Sequence, residues 1–313
     1  MPFPASPRLL PAELRLLLAR GTREVGAQGF DVTIFDLFGI PLDPDRDIPL
    51  APVTRLAEGA MEIHRWWMRA DPVALQADRD SVVMLSNVVE DLTPEESIQL
   101  ACELAPLFRD YGADLQTFSN RWYLAWDTDP GIRTWPGQEV VGRNIIKFLP
   151  RGANGAKWLG LINEAQMLLH GSEVNQQRMA RGQIPANSIW LWGSGRLPTP
   201  GRTEITTIWM QDLTTKGLAA LGDISSGPPC ADAREWLEKA TAGHHLVHLV
   251  CEDVNDELEA GLQRLNKQWL SPLLHAVKSG RLKQLTINPL HGFVYTTTSR
   301  QARRVWIRRL YLV

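Results

Sequence analysis

Between Trp158 and Gly195 the apolar positions set the clearest pattern in the chain. Leu161, Ile162, Ala165, Leu168 and Leu169 recur every three to four residues, which predicts a helix rather than a strand. Gly171 ends that helix and Ser172 caps the next. On the second helix Asn175 and Arg178 lie three apart, so they share a face and are placed to reach one ligand. After Gly182 and Pro185, Ser188 to Trp192 predicts a buried strand. Gly193-Ser194-Gly195 then offers backbone N–H groups at its C-terminal end, where ligands collect in open α/β sheets.

The rest of the chain alternates less regularly. An amphipathic helix is expected over 9–20, a short strand over 31–35 ending at Asp36, and a helix from Pro52. A strand at 82–85 precedes a helix with Thr93 as N-cap, Pro94 as its first residue and Glu96 closing a capping box. The helix runs to about Tyr111, and Arg121 to Trp126 is the next strand. Further strands are expected at 205–210, 245–251, 285–288 and 293–298. Helices are expected at 213–221 (capped by Asp212), 231–241 and 255–278. The middle of the chain thus reads as α+β, and the C-terminal third as α/β with a mainly parallel sheet.

A chain of 313 residues, 44% hydrophobic and 22% charged, has enough apolar side chain for a substantial core. The formal net charge of −2 gives no long-range attraction to nucleic acid or anionic lipid. The C-terminal arginines 300, 303, 304, 308 and 309 are the local exception and read first as a solvated face. Cys102, Cys230 and Cys251 show no metal-type spacing, which points to a reducing, cytoplasmic setting. No apolar run reaches the length of a membrane span. Twelve tryptophans are read first as core filler, although Trp190 and Trp192 project from one strand face. The histidines 244, 245 and 248 suit structural roles better than a shared metal. Among the familiar catalytic signatures GxSxG, GxxxxGK[ST], HExxH and GxGxxG are all absent. The string Gly193 to Arg196 offers an anion its backbone and one guanidinium.

The stretch HGSEVNQQRMARGQIPANSIWLWGSG resembles a signature of archaeal-type, cofactor-independent phosphoglycerate mutases of the alkaline phosphatase superfamily. It is similar also to a bacterial group of comparable length, the RpfE-type regulatory or mutase-like proteins. FDLFGI resembles the mutases' first strand and metal-binding turn, HLVCEDVNDELEAGLQRLNKQWLSPLL their metal loop and long helix, and LTINPLHGFVYTTTSR their C-terminal Asp-His segment. Carried over residue by residue, Asp36, Asp253 and His291 survive as metal positions, and Glu257 replaces a histidine. The aspartate of the Asp-His pair is Leu290, and the final histidine position is a threonine near Thr297. The nucleophilic serine has no counterpart, because residues 59–69 (GAMEIHRWWMR) contain neither serine nor threonine.

The resemblance implies an α/β fold: an alkaline-phosphatase-like core of residues 1–70 plus 186–313, with an α+β domain inserted at 71–185. The expected function is a non-catalytic regulatory or ligand-binding protein. It would bind a phosphorylated small molecule through Arg121, Asn175, Arg178, Asn187, Trp190, Trp192, Gly193, Gly195 and Arg196. No cofactor is expected on this reading; Mn²⁺ or Mg²⁺ enters only if the chain is a divergent mutase or phosphatase using Asp36, Asp253, Glu257 and His291. A protein- or nucleic-acid-interaction module is a third alternative, with nucleic acid the less favoured partner and no membrane role.

Overall fold

The computed structural model describes residues 10–59, 62–87, 89, 91–210, 212–249 and 258–304. It is a mixed α/β chain in two compact units, Leu42–Thr199 and a discontinuous unit of Met1–Pro41 with Pro200–Val313. Residues 42–70 and 186–199, assigned to the core from sequence, therefore fall in the inserted unit.

The discontinuous unit opens with α1 (Ala12–Arg20), β1 (Thr22–Gln28) and α2 (Phe30–Leu37). The strand expected at 31–35 is thus a helix. Gly29, at φ 86°, turns the chain directly out of β1, and Phe30, Ile34 and Phe38 then fall four apart. That helical period overrides the β-branched character of Val32, Thr33 and Ile34. The chain leaves this unit beside the point of its return. A Cβ on Gly201 would lie 2.2 Å from the Gly39 carbonyl oxygen, so only glycine lets the two backbones pass this closely.

The inserted unit contains α3 (Leu50–Ala57), β2 (Trp66–Asp78), β3 (Ser81–Ser86), α4 (Pro94–Asp110), β4 (Asp114–Phe118), β5 (Arg121–Trp126), α5 (Gly155–Gly171), α6 (Glu173–Ala180) and β6 (Ser188–Gly195). Its five-stranded sheet is antiparallel and centred on β2, which pairs with β3, β5 and β6. Because β2 runs unbroken through residue 70 and pairs with β6 from Val73 back to Trp67, no boundary can fall at 70/71. Side chains alternate along it. Met68, Ala70 and Ala74 join the main core with Leu104 and Phe108 of α4 and Leu161 and Ala165 of α5, whereas Trp67, Arg69, Asp71 and Val73 point the other way. The expected capping box forms, with Thr93 and Glu96 exchanging hydrogen bonds.

After Thr199 come β7 (Thr207–Trp209), α7 (Leu213–Leu221), β8 (Ser225–Gly227), α8 (Ala233–Lys239), β9 (His245–Val247), α9 (Leu258–Leu265), a π-helical turn (Asn266–Leu270), α10 (Ser271–Ser279), β10 (Gln284–Ile287), β11 (His291–Thr298) and α11 (Ser299–Ala302). The parallel pairing expected here holds for β8-β7-β9. By contrast β10 and β11 form a separate antiparallel sheet with β1. No helix of the described residues is long and apolar enough to cross a membrane.

The joint between α5, α6 and β6 is held by polar side chains. Asn175 is 1% exposed; its amide donates to Leu169 O and Ala186 O and accepts from Ala186 N–H, all within 3.0 Å. Arg178, wholly buried, donates to Ile184 O, Asp91 O and the Glu96 carboxylate. Asn187 exchanges hydrogen bonds with both backbone groups of Leu75. Asn175→Ala strands both backbone groups of Ala186 and removes one of the two bonds to Leu169 O, and is expected to cost about 2–4 kcal/mol, read as a lower urea midpoint at unchanged m-value.

Candidate functional site

The face of the β2 sheet opposite α4 and α5 carries an unusual amount of charge for its burial. Arg69 and Asp71 come from β2, Arg121 and Tyr123 from β5, Trp192 from β6, and Arg55 and Glu58 from α3 and its C-terminal end. Alternation puts the strand residues on one side, and α3 lies over them. The Arg69 guanidinium lies between the rings of Tyr123 and Trp192, 4.8 and 5.0 Å from their centroids, and bonds Asp71 Oδ1 at 2.6 and 3.1 Å. Asp71 also accepts the Trp122 N–H at 3.1 Å and the Trp192 indole N–H at 2.8 Å. Arg55 rests on Phe118 at 4.2 Å and donates to Gln116 at 3.0 Å; burial lowers its pKa, against the pull of Tyr123 and Glu58.

Arg121 differs from these two. It pairs with Glu58, which Tyr123 also bonds, yet 37% of its side chain is in solvent. Burial acts to lower its pKa, but the Glu58 carboxylate outweighs this and raises it. Burial raises the Tyr123 pKa, with Arg69 opposing, so the phenol stays a neutral donor. Three guanidiniums face two carboxylates in this group. An oxyanion arriving from solvent therefore meets a net positive face through Arg121.

The glycine loop is filled from within the chain. Asp47 accepts from Thr134 N–H at 2.9 Å, from the Thr134 hydroxyl, and weakly from Ser194 N–H at 3.4 Å. A Cβ on Gly195 would meet Pro49 at 2.5 Å, and one on Gly193 would meet the Ala51 nitrogen at 3.2 Å. Both glycines thus admit the 49–51 backbone rather than a ligand. Trp190 is core, its indole N–H donating to Trp135 O at 2.7 Å. Arg196 is exposed and donates to Asp127 O. With Asn175, Arg178 and Asn187 all committed to backbone or Glu96, only Arg121 and Trp192 of the nine expected residues lie in the charged face. Arg55, Glu58, Arg69 and Asp71 were missed, although the alternation in WWMRADPV already put Trp67, Arg69 and Asp71 on one side.

In the discontinuous unit Asp36 sits exposed on α2 rather than at a strand end. His291 opens β11 with its ring edge-on to Phe293 and Tyr295, and burial lowers its pKa with Arg23 adding to the shift. His245 accepts from the Trp209 indole and contacts Thr241 O, a structural placement. Asp253 and Glu257 lie outside the described residues. Among the described residues no three His, Cys, Asp or Glu side chains are grouped to hold a metal ion, so those described do not by themselves fit one.

Burial raises the Asp47 pKa despite the bonds from Thr134 and Ser194. Between the ordinary carboxylate value and the raised one, the folded chain keeps a proton that the unfolded chain has released, so stability falls as pH rises through that window. Asp47→Asn is expected to flatten the dependence of Tm on pH from the ordinary carboxylate range upward and to leave the protein at least as stable at neutrality.

No family model matches the chain. Its sequence is 35% identical over 68 residues to a probable 2,3-bisphosphoglycerate-independent phosphoglycerate mutase of Geobacter sulfurreducens, covering 22% of this chain and 17% of that protein. With the mutases of Methanosarcina mazei and Methanosarcina acetivorans the identity is 41% over 63 residues and 40% over 82, covering 20% and 26% of this chain and 16% and 21% of theirs. The matched segments thus span about a fifth of these relatives' length. Among solved structures, the cofactor-independent phosphoglycerate mutase of Thermoplasma acidophilum aligns with a TM-score of 0.46 at 16% identity, over 92% of this chain and 82% of that one. The sequence matches give the chain partial homology to 2,3-bisphosphoglycerate-independent phosphoglycerate mutases. That finding overturns the expectation that no cofactor is involved, because the resemblance ties mutases of this type to divalent Mn²⁺ or Mg²⁺.

Proposed function

We propose that the chain is an RpfE-type, mutase-derived regulatory protein of the cytoplasm that binds a phosphorylated small molecule without turning it over. The observation that carries this is Arg121, held by Glu58 at the edge of a net positive sheet face with over a third of its side chain in solvent. A phosphate there would gain a charge-assisted, two-pronged contact. The buried Arg69 and Arg55 behind it would add long-range attraction without having to move. Loss of turnover rests on residues 59–69, where the resemblance would put the attacking hydroxyl and this chain has none.

The second reading, a divergent metal-dependent mutase or phosphatase, is favoured by the 35–41% identity to mutases. One pair of measurements separates the two. Calorimetric titration with phosphoglycerates and nucleotides is expected to show binding that Arg121→Ala weakens roughly tenfold or more. A mutase assay with added Mn²⁺ is expected to show no turnover. Turnover that Asp253→Ala abolishes would instead make the chain an enzyme, and binding indifferent to Arg121→Ala would remove this face as the site.

A further inference from the structure

The outer face of the β1-β11-β10 sheet carries a groove of about 600 Å³ to which the Arg121 reading assigns nothing. Its chemistry follows from alternation. Tyr295 and Thr297 of β11 point inward, Tyr295 into the core beneath α1 and Thr297 donating to Leu17 O, so Thr296 and Thr298 point outward. Register places Thr22 of β1 and Thr286 of β10 opposite Thr296, and Gln284 opposite Thr298. Hydroxyls from three strands thus lie side by side: Gln301 ties β1 to β11 by donating to Thr22 and accepting from Thr298, and at the groove's edge Thr286 of β10 bonds Thr296. Arg300 and Arg304, four residues apart, line the same groove, with Glu24 as its acidic group. Neither guanidinium has an ion-pair partner among the described residues.

We propose that this groove binds a small hydroxyl-bearing phosphate ester of the sugar phosphate class, its phosphate on Arg300 and Arg304 and its hydroxyls on the threonine and glutamine floor. Among the described residues no aromatic or aliphatic side chain lines the groove, so these residues offer nothing to a base or an acyl chain. Two arginines against one glutamate leave it net positive, and a phosphate that engages both guanidiniums gains more than either supplies alone. The floor needs little reordering, because Gln301 already holds Thr22 and Thr298.

The test is a titration of the full chain, followed by amide NMR, with glucose 6-phosphate, inorganic phosphate and glucose as probes. Saturable shifts at the Thr296 and Thr298 amides are expected with glucose 6-phosphate. Inorganic phosphate should bind more weakly, and glucose alone should not bind. The double variant Arg300→Gln/Arg304→Gln should weaken the sugar phosphate roughly tenfold or more, and Arg121→Ala should leave it unchanged, which separates this site from the one proposed above. Absence of saturable shifts, equal affinity for inorganic phosphate, indifference to the double variant, or loss on Arg121→Ala would each overturn the proposal. Arg300 is exposed on α11 and Arg304, two residues beyond it, is half-buried, and an unchanged Tm confirms that the variant is folded.

Discussion

The buried Asp71 carboxylate decides the arrangement of the inserted unit. A charge placed among tryptophans is tolerated only when it is both paired and hydrogen-bonded. Asp71 meets that condition with three donors from three strands, namely the Arg69 guanidinium of β2, the Trp122 backbone of β5 and the Trp192 indole of β6. Those bonds lock the neighbours of β2 in register from both sides. A slip of one residue would send Arg69 and Asp71 into the packed core beneath α4 and α5, where no partner waits. The same lock sets Tyr123 and Trp192 on either side of Arg69 and leaves Arg121 at the margin, so the candidate binding face is a by-product of how the sheet is held.

Polar residues that look like ligands from sequence act here as internal ties. Asn175, Arg178 and Asn187 close the turn between α6 and β6, and Arg178 also joins that turn to the N-terminus of α4 through Glu96. Arg178 and Arg181 with the Thr93 N–H outweigh partial burial and hold the Glu96 carboxyl below its usual range. The signature in which these residues occur is therefore as much a description of a joint as of a site. The glycine loop makes the same point, since its neighbours are Pro49, Ala51 and the Asp47 carboxylate of this chain.

Local patterns proved legible where one period dominated. The helical spacing from Leu161 to Leu169, the capping box at Thr93 and Glu96, and the apolar run into β6 each report a choice made within one turn or one strand. Reading failed at 31–35, where β-branched residues masked a four-residue apolar repeat. It failed too at β1, an edge strand so exposed that TREVGAQ carries no apolar alternation. The long β2 was also missed, because its second half mixes Asp, Pro and Gln with apolar residues.

By itself the sequence determined most of the helices of the inserted unit and its strands β3, β5 and β6, the lack of a serine or threonine across residues 59–69, and the presence of arginine and threonine near the C-terminus. Those are properties of composition and short-range period. Only the tertiary structure decided which polar groups remain free to meet a ligand. Whether Arg178 or Arg121 faces solvent depends on partners 82 and 63 residues away, and a carboxylate can fill an anion loop only if a distant segment is folded against it. Burial and pairing are long-range quantities, and no local period encodes them.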